Sequence, residues 1–221
     1  MGPMTTPLLL AFASGDDSMV DLLGGKGAHL AEMTGLGLPV PPGFTITTEA
    51  CRRFLETGSV PDELPDLVSD AVRQLEAESG RLLGSVDNPL LVSVRSGGKF
   101  SMPGMMETVL NVGLTDGSLP ALAGRGGWHF AWDCYRRLIQ MYGHTVLGLD
   151  ALQFDELLEK ARTRSNVVDD AHLPAEALES LVGDFRKLIV DQTGSDLPQD
   201  PRQQLDEAIT AVFRSWVACR R

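Results

Sequence analysis

Apolar positions change their rhythm near Val112. Before that point short apolar or β-branched runs alternate with helical stripes, and after it only helical stripes occur. In the first part, Pro7–Ala13, Phe44–Thr47, Leu90–Val94 and Val109–Val112 read as strands. Ser14–Ser18 reads as a turn and Met19–Leu23 as a connector. A helix opens at Gly24-Gly25-Lys26-Gly27 and runs through Thr34, with Ala28, Leu30, Ala31 and Met33 on its apolar side. Gly35 and Gly37 stop it. Pro39, Pro41, Pro42 and Gly43 form a rigid turn. Thr48 is expected to cap a second helix carrying Cys51, Phe54 and Leu55. Asp62–Glu78 reads as a third helix, with Leu64, Leu67, Val68, Ala71, Val72 and Leu75 on one face.

Gly113–Gly127 is rich in glycine and polar residues and reads as a connection. Four stripes follow. Trp128, Ala131, Trp132, Tyr135, Leu138, Ile139 and Tyr142 make the first, and Leu152, Leu157, Leu158 and Ala161 the second. Leu178, Leu181, Val182, Phe185, Leu188 and Ile189 make the third, and Leu205, Ile209, Val212, Phe213 and Trp216 the fourth. Aromatic residues at this spacing read as helix–helix core rather than a cofactor box. Pro201 suits the first turn of the last helix, with Asp200 as its cap. The expected fold class is α+β. Residues 1–112 form a mixed α/β part, 113–198 a helical part, and the helix in 199–221 packs back on the first.

Composition narrows the function classes. With 221 residues, 43% of them hydrophobic, the chain can bury a sizeable core. No stretch approaches the roughly 20 apolar residues that span a bilayer. Leu8–Phe12 is too short for the apolar part of a signal peptide. A cytoplasmic location is expected, with no membrane partner. Cys51, Cys134 and Cys219 are scattered and odd in number, and His29, His129, His144 and His172 show no metal-ligand spacing. Reduced thiols and no protein-held metal are expected. A net charge of −11 argues against a nucleic-acid partner. It leaves nucleotides open, because a phosphate site needs only a few local cations.

Two segments supply them. The strand ending at Val94 delivers Arg95, followed by Ser96, Gly97, Gly98, Lys99, Phe100, Ser101 and Gly104. Such a backbone can wrap its N–H groups around an anion, and a guanidinium adds a charged fork suited to phosphate oxygens. A strand running into an ordinary Gly-rich loop is the plain alternative. Gly24-Gly25-Lys26-Gly27 sets a lysine at a helix start, where the free N–H groups favour an anion. It is not a Walker loop: Val20 stands where the first glycine belongs, and Gly27 replaces Ser/Thr. A surface lysine in a helix-start turn is the alternative there. Asp16, Asp17, Asp21 and Glu107 lie near these loops without a strand-borne carboxylate pair, and no Gly-x-Ser-x-Gly elbow occurs.

Five ordered segments resemble the pyruvate phosphate dikinase family: Gly24–Met33, Gly37–Phe44, Leu91–Leu110, Phe130–Tyr142, and Pro198–Pro201 with Ala211–Trp216. The Met-Pro-Gly-Met-Met segment separates this family from phosphoenolpyruvate synthase. The resemblance implies the N-terminal part of an ATP-grasp nucleotide-binding domain with a helical-bundle subdomain. Full-length members interconvert ATP, phosphate and pyruvate with AMP, pyrophosphate and phosphoenolpyruvate, using Mg²⁺. Carried over by motif, Lys26 and Arg95 contact the ATP phosphates. Ser101, Gly104, Met105 and Thr108 belong to the loop beside them. Gly98, Lys99 and Phe100 replace small residues, and Glu107 stands where Asp is usual.

The resemblance stops after Trp216, so the family's metal-binding carboxylates, its Thr-Ser-His phosphohistidine segment and its pyruvate barrel have no counterpart in these residues. The expectation is a truncated nucleotide-binding portion with part of the phosphate site and no complete catalytic set. It would associate with itself or with the remaining dikinase domains. The alternatives are a stand-alone interaction or regulatory protein that pairs with a chain supplying the missing half, and a degenerate fragment without a ligand.

Overall fold

A computed structural model of the chain describes residues 6–97 and 108–218. The chain is α+β, and it divides into two compact units. The first unit comprises Met1–Gly80, Arg95–Glu107 and Val212–Arg221; the second comprises Arg81–Val94 and Thr108–Ala211.

In the first unit, strand β1 (Leu9–Ala11) pairs antiparallel with β2 (Phe44–Ile46), in the register Leu9 opposite Ile46 and Ala11 opposite Phe44. The sequence predicts a longer first strand. It is cut short because Phe12–Ser14 winds into a 3₁₀ turn. The Phe12 N–H donates to the Gly43 carbonyl at 3.0 Å, and its ring lies so close to Gly43 that an added Cβ would sit 2.3 Å from it. Helices α1 (Val20–Gly35), α2 (Thr48–Thr57) and α3 (Leu64–Ser79) complete this unit, together with the end of the last helix. Leu23, Ala28 and Ala31 form a small buried cluster, with Leu10, Met19 and Val20 packed against it. Small residues on α1 let it come close to the sheet: a Cβ on Gly27 would lie 2.9 Å from Thr45 Oγ1. Phe54 of α2 stacks on Phe213 with ring centroids 5.3 Å apart.

The expected cap of α2 is corrected. Thr47, not Thr48, stands at the cap position, and it makes no capping bond. Its hydroxyl donates to the Pro7 carbonyl at 2.8 Å, and that of Thr48 donates to the Asp21 carbonyl at 2.7 Å. Both hydroxyls therefore tie α2 to neighbouring backbone instead of completing its first turn.

The second unit holds the two-stranded sheet of β3 (Val92–Arg95, whose last residue falls in the first unit) and β4 (Thr108–Val112). It also holds helices α4 (Leu119–Thr145), α5 (Ala151–Ser165), α6 (Ala175–Thr193) and most of α7 (Pro201–Ala218). Its core is aromatic and aliphatic. Tyr135, Leu138, Ile139, Tyr142, Phe154, Leu178 and Phe185 are all fully buried, and the Phe154 and Phe185 rings meet edge to face at 5.0 Å. Asp200 caps α7 as its sequence predicts, accepting from the Arg202 N–H at 2.8 Å with Pro201 in the first turn.

Two expectations fail in this unit. The stretch before Gly127 is not all connection, since α4 starts at Leu119 and buries Leu119 and Leu122. A turn in which the Thr115 N–H donates to Ser118 Oγ at 3.0 Å leads into it. Trp128 and Leu152 were placed on core stripes, yet they are 50% and 66% exposed. Each lies in the first turn of a helical segment, Trp128 directly after the Gly127 break and Leu152 at the start of α5.

Candidate phosphate-facing site

Local chemistry first sets the shape of α1. Asp17–Met19 winds into a 3₁₀ turn, and Val20–Leu23 adds a helical turn. Gly24 then breaks the helix with φ 70° and ψ 166°. That combination is open essentially to glycine alone. The regular helix restarts at Gly25, so Lys26 stands at the opening of a helix, as the Gly-Gly-Lys-Gly pattern predicts.

The other half arrives from β3. Val92 and Val94 are half-buried while Ser93 and Arg95 are exposed, the alternation of a strand with one covered face. Arg95 thus ends the strand with its side chain on the exposed face. Ser96 and Gly97 follow the strand without regular structure.

The structure brings these two segments together. Lys26 Nζ donates to the Ser96 carbonyl at 3.2 Å, although the residues are 70 positions apart. A Cβ on Gly24 would lie 2.3 Å from the Gly97 carbonyl oxygen, so the backbones are in direct contact. Ser96 itself is buried, at 6% exposure, and its hydroxyl accepts from the indole N–H of Trp216 at 3.0 Å. One residue therefore joins the lysine-bearing helix start, the arginine-bearing strand end and the last helix.

Arg52, Arg136, Arg162 and Arg186 each lie against a carboxylate. Among the described residues, neither Lys26 nor Arg95 forms an ion pair. Lys26, whose ammonium meets a backbone carbonyl, and the exposed Arg95 suit an oxyanion ligand. Asp16, near in sequence, is occupied in accepting from the Ser18 N–H at 2.9 Å.

Of the other residues singled out from sequence, Thr108 opens β4 and is half-buried. Ser101, Gly104 and Met105 lie outside the described residues, as do Gly98, Lys99, Phe100 and Glu107. Among the described residues, no three His, Cys, Asp or Glu side chains converge in a way that could hold a metal ion. Burial, reinforced by the Asp133 charge, pushes the Cys134 thiol up from its ordinary value, so that buried thiol is held protonated rather than as a nucleophile. Sequence reasoning missed Ser96 and Trp216 as partners. Trp216 stands out in the sequence as the end of an apolar stripe and of the Ala211–Trp216 segment, and nothing along the chain ties it to Ser96.

Residues 20–82 match the family model described as the AMP/ATP-binding domain of pyruvate phosphate dikinase, and Lys26 falls inside the match. Curated relatives extend the similarity. The chain is 48% identical over 207 residues to pyruvate, phosphate dikinase of Rhizobium meliloti (strain 1021), covering 93% of this chain and 23% of that protein. It is 45% identical over 205 residues to the chloroplastic pyruvate, phosphate dikinase of Flaveria trinervia, covering 92% of this chain and 22% of the relative. It is 43% identical over 208 residues to pyruvate, phosphate dikinase 2 of Oryza sativa subsp. japonica, covering 94% and 23%. The chain spans under a quarter of the length of these relatives. Over that span the chain is similar to the pyruvate phosphate dikinases, and its residues 20–82 match their AMP/ATP-binding domain.

Proposed function

We propose that the Gly24–Lys26 and Arg95–Gly97 segments form one wall of an ATP-phosphate site in an ATP-grasp-like nucleotide-binding domain that carries a helical-bundle subdomain. The contact between Lys26 Nζ and the Ser96 carbonyl carries this reading, because it brings the lysine-bearing helix start to the strand end that carries Arg95, and neither cation has an ion pair among the described residues. Lys26 would hold a phosphate oxygen as a point charge, and Arg95 would offer a planar fork. The N–H groups opening the helix at Gly25 would add donors. Ser101, Gly104, Met105 and Thr108 complete the proposed phosphate contacts. Stabilising charge on a transferring phosphoryl group is largely an electrostatic task, and this wall is suited to it.

The reaction of the complete dikinases, which turns ATP, phosphate and pyruvate into AMP, pyrophosphate and phosphoenolpyruvate, needs more than this wall. The 221 residues contain no Thr-Ser-His segment, and the described residues gather no carboxylate cluster for Mg²⁺. Magnesium therefore enters this reading only as the ion that accompanies the nucleotide. We assign the chain nucleotide binding and not the full cycle.

Calorimetry with Mg-ATP tests the assignment. The parent chain is expected to bind, and Arg95→Ala to weaken binding more than about tenfold, the scale of a lost charge-assisted pair, at an unchanged melting temperature. Equal binding by parent and variant would move the site away from Arg95. Formation of phosphoenolpyruvate from pyruvate by this chain alone would overturn the restriction to binding.

A further inference from the structure

Among the described residues Trp216 makes one polar contact, and it falls on the residue that also receives Lys26. Its indole N–H donates to Ser96 Oγ at 3.0 Å, across 120 positions of sequence. Ser96 is buried, and its two oxygens are spoken for separately: the hydroxyl by Trp216 and the carbonyl by Lys26. A buried hydroxyl left without its partner keeps its desolvation cost, so the pairing favours a single rotamer and a single course for the backbone at Ser96. Arg95 before it is exposed, and Gly97 after it has no side chain to pack, its backbone lying against Gly24.

The indole is partly buried and stands beside α2. The neighbouring Phe213 stacks on Phe54 of α2. The Trp216 ring borders a cleft of about 220 Å³ with Thr48, Glu49, Cys51, Arg52 and Leu55. Trp216 therefore joins α2 and α7 to the 95–97 segment.

We propose that Trp216 is a positioning residue for the phosphate-facing wall. Through Ser96 it fixes the course of the 95–97 segment, and so sets where Lys26 and Arg95 stand relative to each other. This rests on the proposed nucleotide site for its functional consequence, but the mechanical coupling stands independently of any ligand. Trp216 touches no substrate in this scheme; it acts through Ser96.

The test combines two readouts on the intact chain. Trp216→Phe keeps an aromatic ring against the cleft and removes the N–H. Amide hydrogen exchange in the segment containing 95–97 is expected to speed up about threefold to tenfold, the range of one lost hydrogen bond. The Kd for Mg-ATP is expected to rise by a similar factor. Ser96→Ala should reproduce both effects, Ser96→Thr should restore them, and the double variant Ser96→Ala with Trp216→Phe should add nothing to either single change. A Trp216→Phe chain that melts earlier but exchanges 95–97 at the parent rate would show that Trp216 only packs, and would overturn the proposal. Additive effects in the double variant would overturn it as well. A parent chain that binds no Mg-ATP overturns the phosphate-wall reading instead, and the exchange result then decides the positioning by itself.

Discussion

Gly24 and Gly127 break two helices in nearly the same way. Gly24 has φ 70° and ψ 166°, and Gly127 has φ 83° and ψ 164°. Both follow a short helical turn, and both release the chain into a longer helix. Their surroundings differ. A Cβ on Gly24 would run into the Gly97 carbonyl oxygen at 2.3 Å, whereas a Cβ on Gly127 would meet nothing within 4 Å. One local device thus serves two purposes. In the second unit it only redirects α4. In the first unit it also admits a second backbone beside Lys26. The backbone conformation is a local property, and its use depends on what arrives from elsewhere in the chain.

The comparison can be broken most sharply at Gly24 itself. Gly24→Ala combines a glycine-only conformation with a clash against rigid backbone, and is expected to cost about 3 kcal/mol in denaturant unfolding. Mg-ATP binding should be lost with it. Gly127→Ala carries the conformational strain alone and is expected to cost about 1–2 kcal/mol, with nucleotide affinity unchanged. Equal losses of stability and affinity at the two positions would show that the approach of Gly97 is not what sets Gly24 apart.

A smaller effect tests whether local devices of the second unit stay local. Asp200→Ala removes the carboxylate that caps α7 and should cost about 1 kcal/mol, seen as a lower urea midpoint with exchange at 95–97 unaltered. Spread of the effect to that segment would mean that α7 transmits strain along its whole length.

The smallest effect concerns acid. Hydrogen bonds from Arg52 and then Arg53 hold the Glu49 carboxyl down from 4.5 to about 2. Because its folded value is depressed, the carboxylate contributes in full above 4.5 and loses its contribution as pH falls toward about 2. Melting temperatures of parent and Glu49→Gln should therefore converge on acidification through that window. A constant gap between them would assign the ion cluster on α2 no stabilising role.

Much of the secondary structure was legible from local rules. Asp200 followed by Pro201 announces the start of α7, and the Asp200 carboxylate does take the Arg202 N–H. Gly24-Gly25 before an apolar stripe announces the restart of α1. The stripe through Tyr135, Leu138, Ile139 and Tyr142 marks residues that are fully buried. The misreadings have physical causes. Gly124, Gly126 and Gly127 mask the short helix from Leu119, whose apolar anchors are few. Periodicity also cannot say how far along a stripe burial extends, so Trp128 lies half-exposed, stacked on Trp132 at 6.0 Å instead of buried. Thr48 looked like a cap because a hydroxyl at a helix start usually is one. Its hydroxyl instead reaches the Asp21 carbonyl, a partner 27 positions away.

The sequence by itself determined which residues carry charge and which backbone positions can bend. Arg95 at a strand end, Lys26 at a helix start and a glycine able to adopt the conformation of Gly24 all follow from the chemistry of a few neighbouring residues. Only the tertiary structure decided that these pieces meet. Lys26 reaches Ser96 across 70 positions, and Trp216 reaches it across 120. Contacts at such separations depend on how whole elements pack, because closing loops of that length is a property of the folded core and not of any local stretch.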